Sequence, residues 1–189
     1  LEAQKESIAL CREGVRYREV HLASAKILAQ FLVDEGLLMC SASEAFETGA
    51  HALFVPHGVG HVLGLDVHDL EQFGDRPAYP KDRQRDTQFG LSYLRLDMTL
   101  EPGHLVTVEP GFYVVDAILD DPVKRELHKG RLNLDALDAW RGFGGIRIED
   151  DILVGTNGPE NLTAAAPREI EAIEEKTGSS LEAAARFLP

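Results

Sequence analysis

The sequence is poor in cysteine, with Cys11 and Cys40 as its two thiols among 189 residues. Two thiols cannot build a disulfide framework, and neither has a second cysteine at the spacing of a zinc knuckle. No apolar run is long enough to cross a membrane, and no basic segment followed by an apolar core indicates a signal peptide. We therefore expect reduced thiols in a soluble, cytoplasmic protein.

Basic residues are also scarce. The chain has 19 Lys and Arg residues against 32 Asp and Glu, which gives a formal net charge of -13 at pH 7. This charge opposes binding to nucleic-acid phosphates and to anionic membrane surfaces, so neither partner is expected. With 44% hydrophobic residues, the chain can bury the core of one globular domain or most of one.

The first fifty residues have a helical pattern. A polar, helix-prone stretch predicts a first helix over residues 1–12. Apolar residues recur near every 3.6 positions over residues 18–35, which predicts a second, amphipathic helix that ends at Gly36. A short third helix is expected over residues 43–49, because acidic residues occupy its first turns, where the helix dipole favours them.

Strand patterns follow later in the chain. Residues 104–109 alternate in polarity, and residues 112–119, rich in aromatic and β-branched side chains, are expected to continue that strand or to pair with it. Residues 144–154 alternate in the same way and predict one further strand. Each of the two alternating strands then presents a glutamate, Glu109 or Glu149.

The remaining segments lack a strand pattern. Residues 73–90 are predicted to form a loop, and residues 120–140 form a polar excursion between the strands. Helical turns are expected over residues 167–175 and 180–187. The sequence is thus divided into three regions of one domain: residues 1–50, helical; residues 51–163, strands and loops; and residues 164–189, a helical tail.

Histidines cluster in the middle of the chain. Four of the seven fall between positions 51 and 68: His51, His57, His61 and His68. A lone histidine beside apolar residues is more often a hydrogen-bonded core group than a ligand. Here, however, nearby glycines allow close approach of backbones, at Gly58, Gly60 and Gly64. Imidazoles and carboxylates together suit divalent first-row metals, so the cluster indicates a metal site.

The segment PHGVGHVLGLDVHD at residues 56–69 resembles the signature of prolidases and Xaa-Pro aminopeptidases, which are pita-bread metallopeptidases. Two further blocks agree with that family in order and spacing, LVTVEPG at residues 105–111 and GGIRIEDD at residues 144–151. The resemblance covers residues 15–163. It implies an α+β fold, with a curved, mainly antiparallel sheet, helices on its convex face and the site in its concavity.

The resemblance also implies roles for individual residues. The expected metal ligands are His61, Glu109 and Glu149, with Glu149 bridging two ions. The expected catalytic residues are His57, His68, Glu109 and Arg147, with Glu109 as general acid and base. The expected substrate-binding residues are His57, His68, Arg95 and Arg147.

The cofactors implied by the resemblance are two divalent ions. Manganese is expected, although zinc, cobalt or iron would suit the same ligands. In such a centre the two cations lower the pKa of a bridging water and polarise the scissile carbonyl. The family also uses two aspartates upstream of the first helix, which this sequence does not contain. We therefore expect this chain to be the carboxy-terminal part of a catalytic domain and to have little activity alone.

Other interpretations of these residues remain open. The Glu-Pro-Gly sequence at Glu109 is common in ordinary turns. Glu149, followed by two aspartates, fits a solvated strand end. Arg147 has carboxylates on neighbouring positions and fits a simple salt bridge with Glu149 or Asp151.

Two features favour a dipeptidase. The connection between the glutamate blocks, residues 114–143, is long, as in prolidases. Residues 92–95 resemble a prolidase segment whose arginine binds the carboxylate of the dipeptide, which assigns this role to Arg95. A surface position for Arg95 is the alternative. The expected substrate is an Xaa-Pro dipeptide or short proline-containing peptide, and a homodimer is expected from the family.

Three rival functions differ from an Xaa-Pro dipeptidase. An Xaa-Pro aminopeptidase would act on longer peptides at the same centre. A non-catalytic pita-bread module would bind peptides or proteins, but such relatives lose ligands that are present here. Creatinase-like hydrolysis uses the fold without metals, and the retained Glu109 and Glu149 argue against it.

Overall fold

The computed structural model describes residues 1–69 and 71–177. Its helices are α1 (Glu2–Leu10), α2 (Tyr17–Asp34), α3 (Ala42–Thr48), α4 (Asp116–Leu119), α5 (Pro122–Leu127), α6 (Leu134–Asp138) and α7 (Ile170–Thr177). Its strands are β1 (Leu105–Val108), β2 (Gly111–Val114), β3 (Gly144–Arg147), β4 (Asp150–Gly155) and β5 (Gly158–Asn161). Short 3-10 turns occur at Ala50–Leu53, Glu71–Phe73 and Leu91–Tyr93.

The three helices predicted in the first fifty residues are confirmed as α1, α2 and α3. The cap of α3 shows why it begins and ends where it does. The side chain of Ser41 accepts a hydrogen bond from the Glu44 amide at 3.2 Å. Gly49 closes the helix with φ of 76°, a left-handed conformation that glycine adopts without strain.

The strands form two antiparallel sheets, with the orders β1-β4-β5 and β2-β3. The predicted strand over residues 104–109 is confirmed as β1. The strand predicted over residues 144–154 is instead two strands, β3 and β4, which belong to different sheets. β5 pairs with β4 and was not predicted.

The strand prediction for residues 112–119 was wrong beyond Val114. From Asp116 the chain forms the short helix α4, because the amides of Ile118 and Leu119 both donate to the Val115 carbonyl. Arg141 stabilises this turn through ion pairs with Asp116 and Asp120. The polar excursion that follows contains α5 and α6. The helix expected over residues 180–187 lies outside the described residues, and α7 matches the one expected before it.

Two hydrophobic clusters fill the core. The first joins α2 and the turn after α3 to β2, with Leu32, Phe54 and Phe112 fully or almost fully buried. Trp140 packs edge-on against Phe112 at 5.5 Å between ring centroids, which attaches the excursion to this cluster. The second cluster lies around β1 and β4 and includes Tyr17. The first cluster therefore fixes the position of β2, and the second fixes the position of β1.

Both cysteines are free thiols. Cys11 is fully buried, and burial raises the pKa of its thiol to about 12. It is therefore unreactive at neutral pH. Among the described residues, no helix has both the length and the apolar character needed to cross a membrane.

His21 on α2 makes folding depend on pH. Its side chain is buried, and Nδ1 has no hydrogen-bond partner within the part of the chain that the structure describes. Burial lowers the His21 pKa from 6.5 to about 3. Below pH 6.5 the unfolded chain binds a proton that the folded chain excludes, so the free energy of unfolding decreases as the pH falls from about 6.5 toward 3.

We expect the wild-type protein to lose stability between pH 7 and pH 5, at up to about 1.4 kcal/mol per pH unit from this one group. His21→Gln should flatten that dependence, as measured by urea denaturation at each pH. His104→Gln, which replaces a half-buried histidine, controls for the loss of one imidazole. If the free energy of unfolding of His21→Gln varies with pH as steeply as that of the wild type, this role of His21 is contradicted.

Candidate metal centre

The two candidate glutamate ligands face each other across an antiparallel pair. Val108 pairs with Asp150 on one side, and Gly111 pairs with Arg147 on the other. The register is the same in both sheets, so Glu109 lies opposite Glu149. Pro110 has no N–H to donate, and the regular ladder is interrupted at this point. The interruption separates the two sheets and leaves the two carboxylates side by side.

His61 is brought to the glutamates by a segment that runs beside β1. The Thr107 amide donates to the His61 carbonyl, and the His61 amide donates to Thr107 Oγ1, both at 2.9 Å. The imidazole Nδ1 lies 3.1 Å from the Val62 carbonyl oxygen, which it can reach only as a donor. In the neutral imidazole this contact places the lone pair on Nε2, which lies 3.3 Å from Glu109 Oε1.

Close packing at Gly60 sets the distance between this segment and β1. A Cβ atom at Gly60 would collide with the Thr107 carbonyl oxygen and with the hydroxyl of Tyr17. The Tyr17 hydroxyl donates to the same carbonyl at 2.6 Å, so these two groups together occupy the space next to Gly60. Glycine is therefore required at position 60 for His61 to approach Glu109.

His61, Glu109 and Glu149 each offer one ligand atom, and these atoms lie within 4.8 Å of one another. His61 and Glu109 are buried, whereas Glu149 is exposed, which leaves one open side. A neutral imidazole nitrogen and two carboxylates are a donor set that suits a divalent first-row ion. The residues present therefore fit a metal ion.

Arg147 contacts both carboxylates. Its Nη1 lies 3.3 Å from Glu109 Oε2, and its Nε lies 3.7 Å from Glu149 Oε2. One guanidinium compensates one of the two negative charges, so the cluster keeps a net negative charge that attracts a cation. Arg147 thus does more than form a simple salt bridge with its strand neighbour, because it also contacts the glutamate on the opposite strand.

His57 lies near the site through a contact with Tyr113, a residue that the sequence did not single out. His57 Nδ1 lies 2.7 Å from the Gly58 carbonyl oxygen, and its Nε2 lies 3.0 Å from the Tyr113 hydroxyl. Burial raises the pKa of Tyr113, so the hydroxyl stays protonated and donates to Nε2. Tyr113 stands four positions after Glu109, so an extended chain places both side chains on one face. This spacing is the sequence feature that could have predicted Tyr113 near the site.

His68 returns to the site because the loop folds back on itself. The Asp69 amide donates to the Val62 carbonyl at 3.1 Å. The rings of His61 and His68 lie edge-to-face with their centroids 4.4 Å apart. The structure therefore brings together His57, His61, His68, Glu109, Arg147 and Glu149, either directly or through Tyr113.

Arg95 lies in a neighbouring cavity of about 460 Å³ that is also lined by His57. Its Nη1 donates to both carboxylate oxygens of Glu71, at 2.7 and 2.6 Å. The expected substrate-binding arginine is thus already paired with a carboxylate of its own chain. The sequence pattern did not indicate Glu71 as that partner.

Asp150, next to Glu149, is buried rather than solvated. Its carboxylate accepts hydrogen bonds from Gln4 Nε2 at 2.6 Å, Thr163 Oγ1 at 2.7 Å and Arg168 Nη1 at 3.0 Å. Glu149 itself is exposed, as the solvated strand end would require, whereas Asp150 beside it is buried. The three donors fix the start of β4 and with it the backbone of Glu149.

Comparisons with known proteins identify the family. The model of metallopeptidase family M24 matches residues 1–156. The Xaa-Pro dipeptidase of Stenotrophomonas maltophilia strain R551-3 is 40% identical over 161 residues, which are 85% of this chain and 35% of that protein. A probable Xaa-Pro aminopeptidase of Verticillium alfalfae is 39% identical over 180 residues, which are 95% of this chain and 37% of that protein.

Solved structures agree with this match. The aminopeptidase PepP of Pseudomonas aeruginosa has a TM-score of 0.67 at 29% identity, over 97% of this chain and 33% of that chain. Proline aminopeptidase P II of Yersinia pestis has a TM-score of 0.68 at 31% identity, over 95% of this chain and 33% of that chain. The predicted pita-bread metallopeptidase fold is confirmed. The chain belongs to metallopeptidase family M24, and it spans about a third of the length of these relatives.

Gly60→Ala should disturb the centre by separating the His61 segment from β1. We expect a loss of about 1–3 kcal/mol in the free energy of unfolding, measured by urea denaturation, together with weaker binding of a divalent cation. Gly130→Ala is the control, since Gly130 has a φ of 79° but open space around its Cβ position. It should cost about 1 kcal/mol and leave cation binding unchanged. Equal cation affinity in both variants would refute the packing argument.

Proposed function

We propose that this chain supplies part of the active centre of a metal-dependent hydrolase that cleaves Xaa-Pro peptide bonds. The observation that carries the proposal is the convergence of His61, Glu109 and Glu149 beside Arg147. Relatives named Xaa-Pro dipeptidase and aminopeptidase P support this substrate class. We further propose manganese as the metal, because imidazole and carboxylate ligands suit it. A homodimer is proposed from the family resemblance, and the cytoplasm from the scarcity of cysteine.

A bound divalent ion supplies a polarised scissile carbonyl and a more acidic water. Glu109 is proposed as the general acid and base, which takes the proton of the attacking water and passes it to the departing proline nitrogen. Its Oε1 accepts from the Thr107 hydroxyl at 3.2 Å, and its Oε2 faces Arg147, so both oxygens are oriented. Arg147 keeps a positive charge beside the carboxylates while negative charge develops on the substrate.

His57 and His68 are proposed to contact the substrate on either side of the metal ligands. The tautomer of His57 is set by the Gly58 carbonyl, and its ring is oriented by Tyr113. The ring of His68 packs edge-on against that of His61. Both imidazoles are thereby held near the ligands without being ligands themselves.

The described residues contain one group of three ligand side chains suited to a metal, and we propose that the dinuclear centre needs two further carboxylates from outside this chain. Three donors can hold one ion with open positions, as in catalytic sites. The chain alone should therefore bind one cation weakly and show little peptidase activity.

Titration of the isolated chain with Mn²⁺, followed by calorimetry, should give a single weak site. Glu149→Gln should weaken it at least about tenfold, because a ligand carboxylate is lost. Glu160→Gln on β5, an exposed glutamate, is the matched control and should bind as the wild type does. Equal affinities for the two variants would contradict the assignment of Glu149 as a ligand. Rapid hydrolysis of Gly-Pro by the isolated chain would contradict the proposed need for two further carboxylates.

The dipeptidase is our first candidate, because Arg95 and His57 line one cavity and a guanidinium suits the carboxylate of an Xaa-Pro dipeptide. The second candidate is an Xaa-Pro aminopeptidase. It is favoured by the pairing of Arg95 with Glu71, which reduces the positive charge available to such a carboxylate.

Hydrolysis of Gly-Pro and Gly-Pro-Gly by the intact protein that carries this chain would separate the two candidates. For a dipeptidase, Arg95→Ala should raise KM for Gly-Pro by about tenfold or more and change KM for Gly-Pro-Gly far less. Arg76→Ala, which removes an exposed guanidinium from the next loop, is the control. Equal effects of Arg95→Ala on both peptides would remove Arg95 from carboxylate binding.

A further inference from the structure

The cavity beside His57 contains two arginines, and each is paired with a carboxylate. Arg85 pairs with Asp75 at 2.6 Å, and Arg95 pairs with Glu71 at 2.6 Å. All four side chains line the cavity. Their charges cancel, so the cavity offers a substrate carboxylate no net positive charge from these four groups.

The two arginines differ in what else holds them. Arg85 Nη1 also donates to the backbone carbonyls of Ser92 and Leu94, and its guanidinium lies 4.9 Å from the centroid of the Tyr79 ring. Arg85 is therefore fixed by the loop around it. Within the described part of the chain, the guanidinium of Arg95 hydrogen-bonds to Glu71 alone, through Nη1. Its remaining N–H groups are available to a ligand.

We propose that Glu71 is a specificity-determining residue that competes with the substrate's terminal carboxylate for Arg95. This inference rests on the proposed function. A dipeptide carboxylate has two routes to Arg95, and Glu71 opposes both. It either displaces Glu71 from Nη1, or it binds the free N–H groups with a second carboxylate on the same guanidinium, where like charges repel.

The proposal predicts which substrates are affected. An Xaa-Pro dipeptide presents a carboxylate directly after proline, whereas the corresponding dipeptide amide is neutral there and otherwise nearly the same size. Glu71 therefore raises KM for the dipeptide and leaves the amide almost unaffected. The effect is modest, because the side chains of Glu71 and Arg95 are 35% and 42% exposed and water screens their interaction.

The test is hydrolysis of Gly-Pro and Gly-Pro-NH₂ by the intact, Mn²⁺-loaded protein. Glu71→Gln keeps the size of the side chain and removes its charge, and it should lower KM for Gly-Pro by up to about fivefold relative to Gly-Pro-NH₂. Glu71→Lys should lower KM for Gly-Pro relative to Gly-Pro-NH₂ further than Glu71→Gln does. In the Arg95→Ala background, Glu71→Gln should have little or no selective effect.

Asp75→Asn is the matched control, since it removes the other cavity carboxylate while Arg85 stays bound to two carbonyls. It should shift the ratio of the two KM values less than Glu71→Gln does. If Glu71→Gln changes both substrates equally or changes neither, the role of Glu71 is overturned and the proposed hydrolase function stands. If the wild-type protein cleaves Gly-Pro-Gly but neither of these substrates, this inference is overturned and the proposed hydrolase function stands. If it cleaves none of the three, the proposed function fails and this inference fails with it.

Discussion

Two glutamates of like charge face each other across an antiparallel strand pair, and the rest of the centre is arranged around this pairing. Like charges in directly opposed positions destabilise a sheet. Here Arg147 contacts both carboxylates, and Nε2 of His61 lies 3.3 Å from an oxygen of Glu109. A divalent cation held by the two glutamates and His61 would offset the negative charge that Arg147 leaves uncompensated.

The interruption in the ladder makes this arrangement possible. Pro110 cannot donate a backbone hydrogen bond, and the sheets on either side of it keep one common register. The Ile148 amide still donates to the Pro110 carbonyl at 3.3 Å, so the two strands stay together through the gap. The two carboxylates are therefore held by paired backbone on both sides, which is more rigid than a site built on loops.

Much of the fold was predictable because local patterns and final structure agree. The helical spacing of α2 and the Ser41 and Gly49 boundaries of α3 depend on nearby residues alone. The split between β3 and β4 was not predictable by alternation, since residues 144–154 alternate straight through the break. The helical turn at Asp116 depends partly on Arg141, far along the chain, and the β-branched residues before it suggested a strand instead.

The candidate site was recognisable from motif spacing, which placed His61, Glu109 and Glu149 in one family pattern that the structure brings together. Its partners were harder to find. Tyr113 looked like an ordinary strand aromatic, and the pairing of Glu71 with Arg95 joins positions in two turns that have no common periodicity. For Tyr113, the spacing from Glu109 on one strand face was the only hint in the sequence. The contact of Glu71 with Arg95 depends on how two loops meet in space, which a single-sequence pattern does not indicate.

The hydrogen bond from Gln4 to Asp150 joins residues 146 positions apart, and Arg168 donates to the same carboxylate oxygen. Asp150 directly follows the proposed ligand Glu149, so the first helix and the segment before α7 meet next to the candidate centre. Contacts between such distant positions form slowly, because a long loop must close before they stabilise anything. Glu149 is thus expected to reach its final position late in folding, so that cation affinity would report on these distant contacts as well as on the strand pairs beside Glu149.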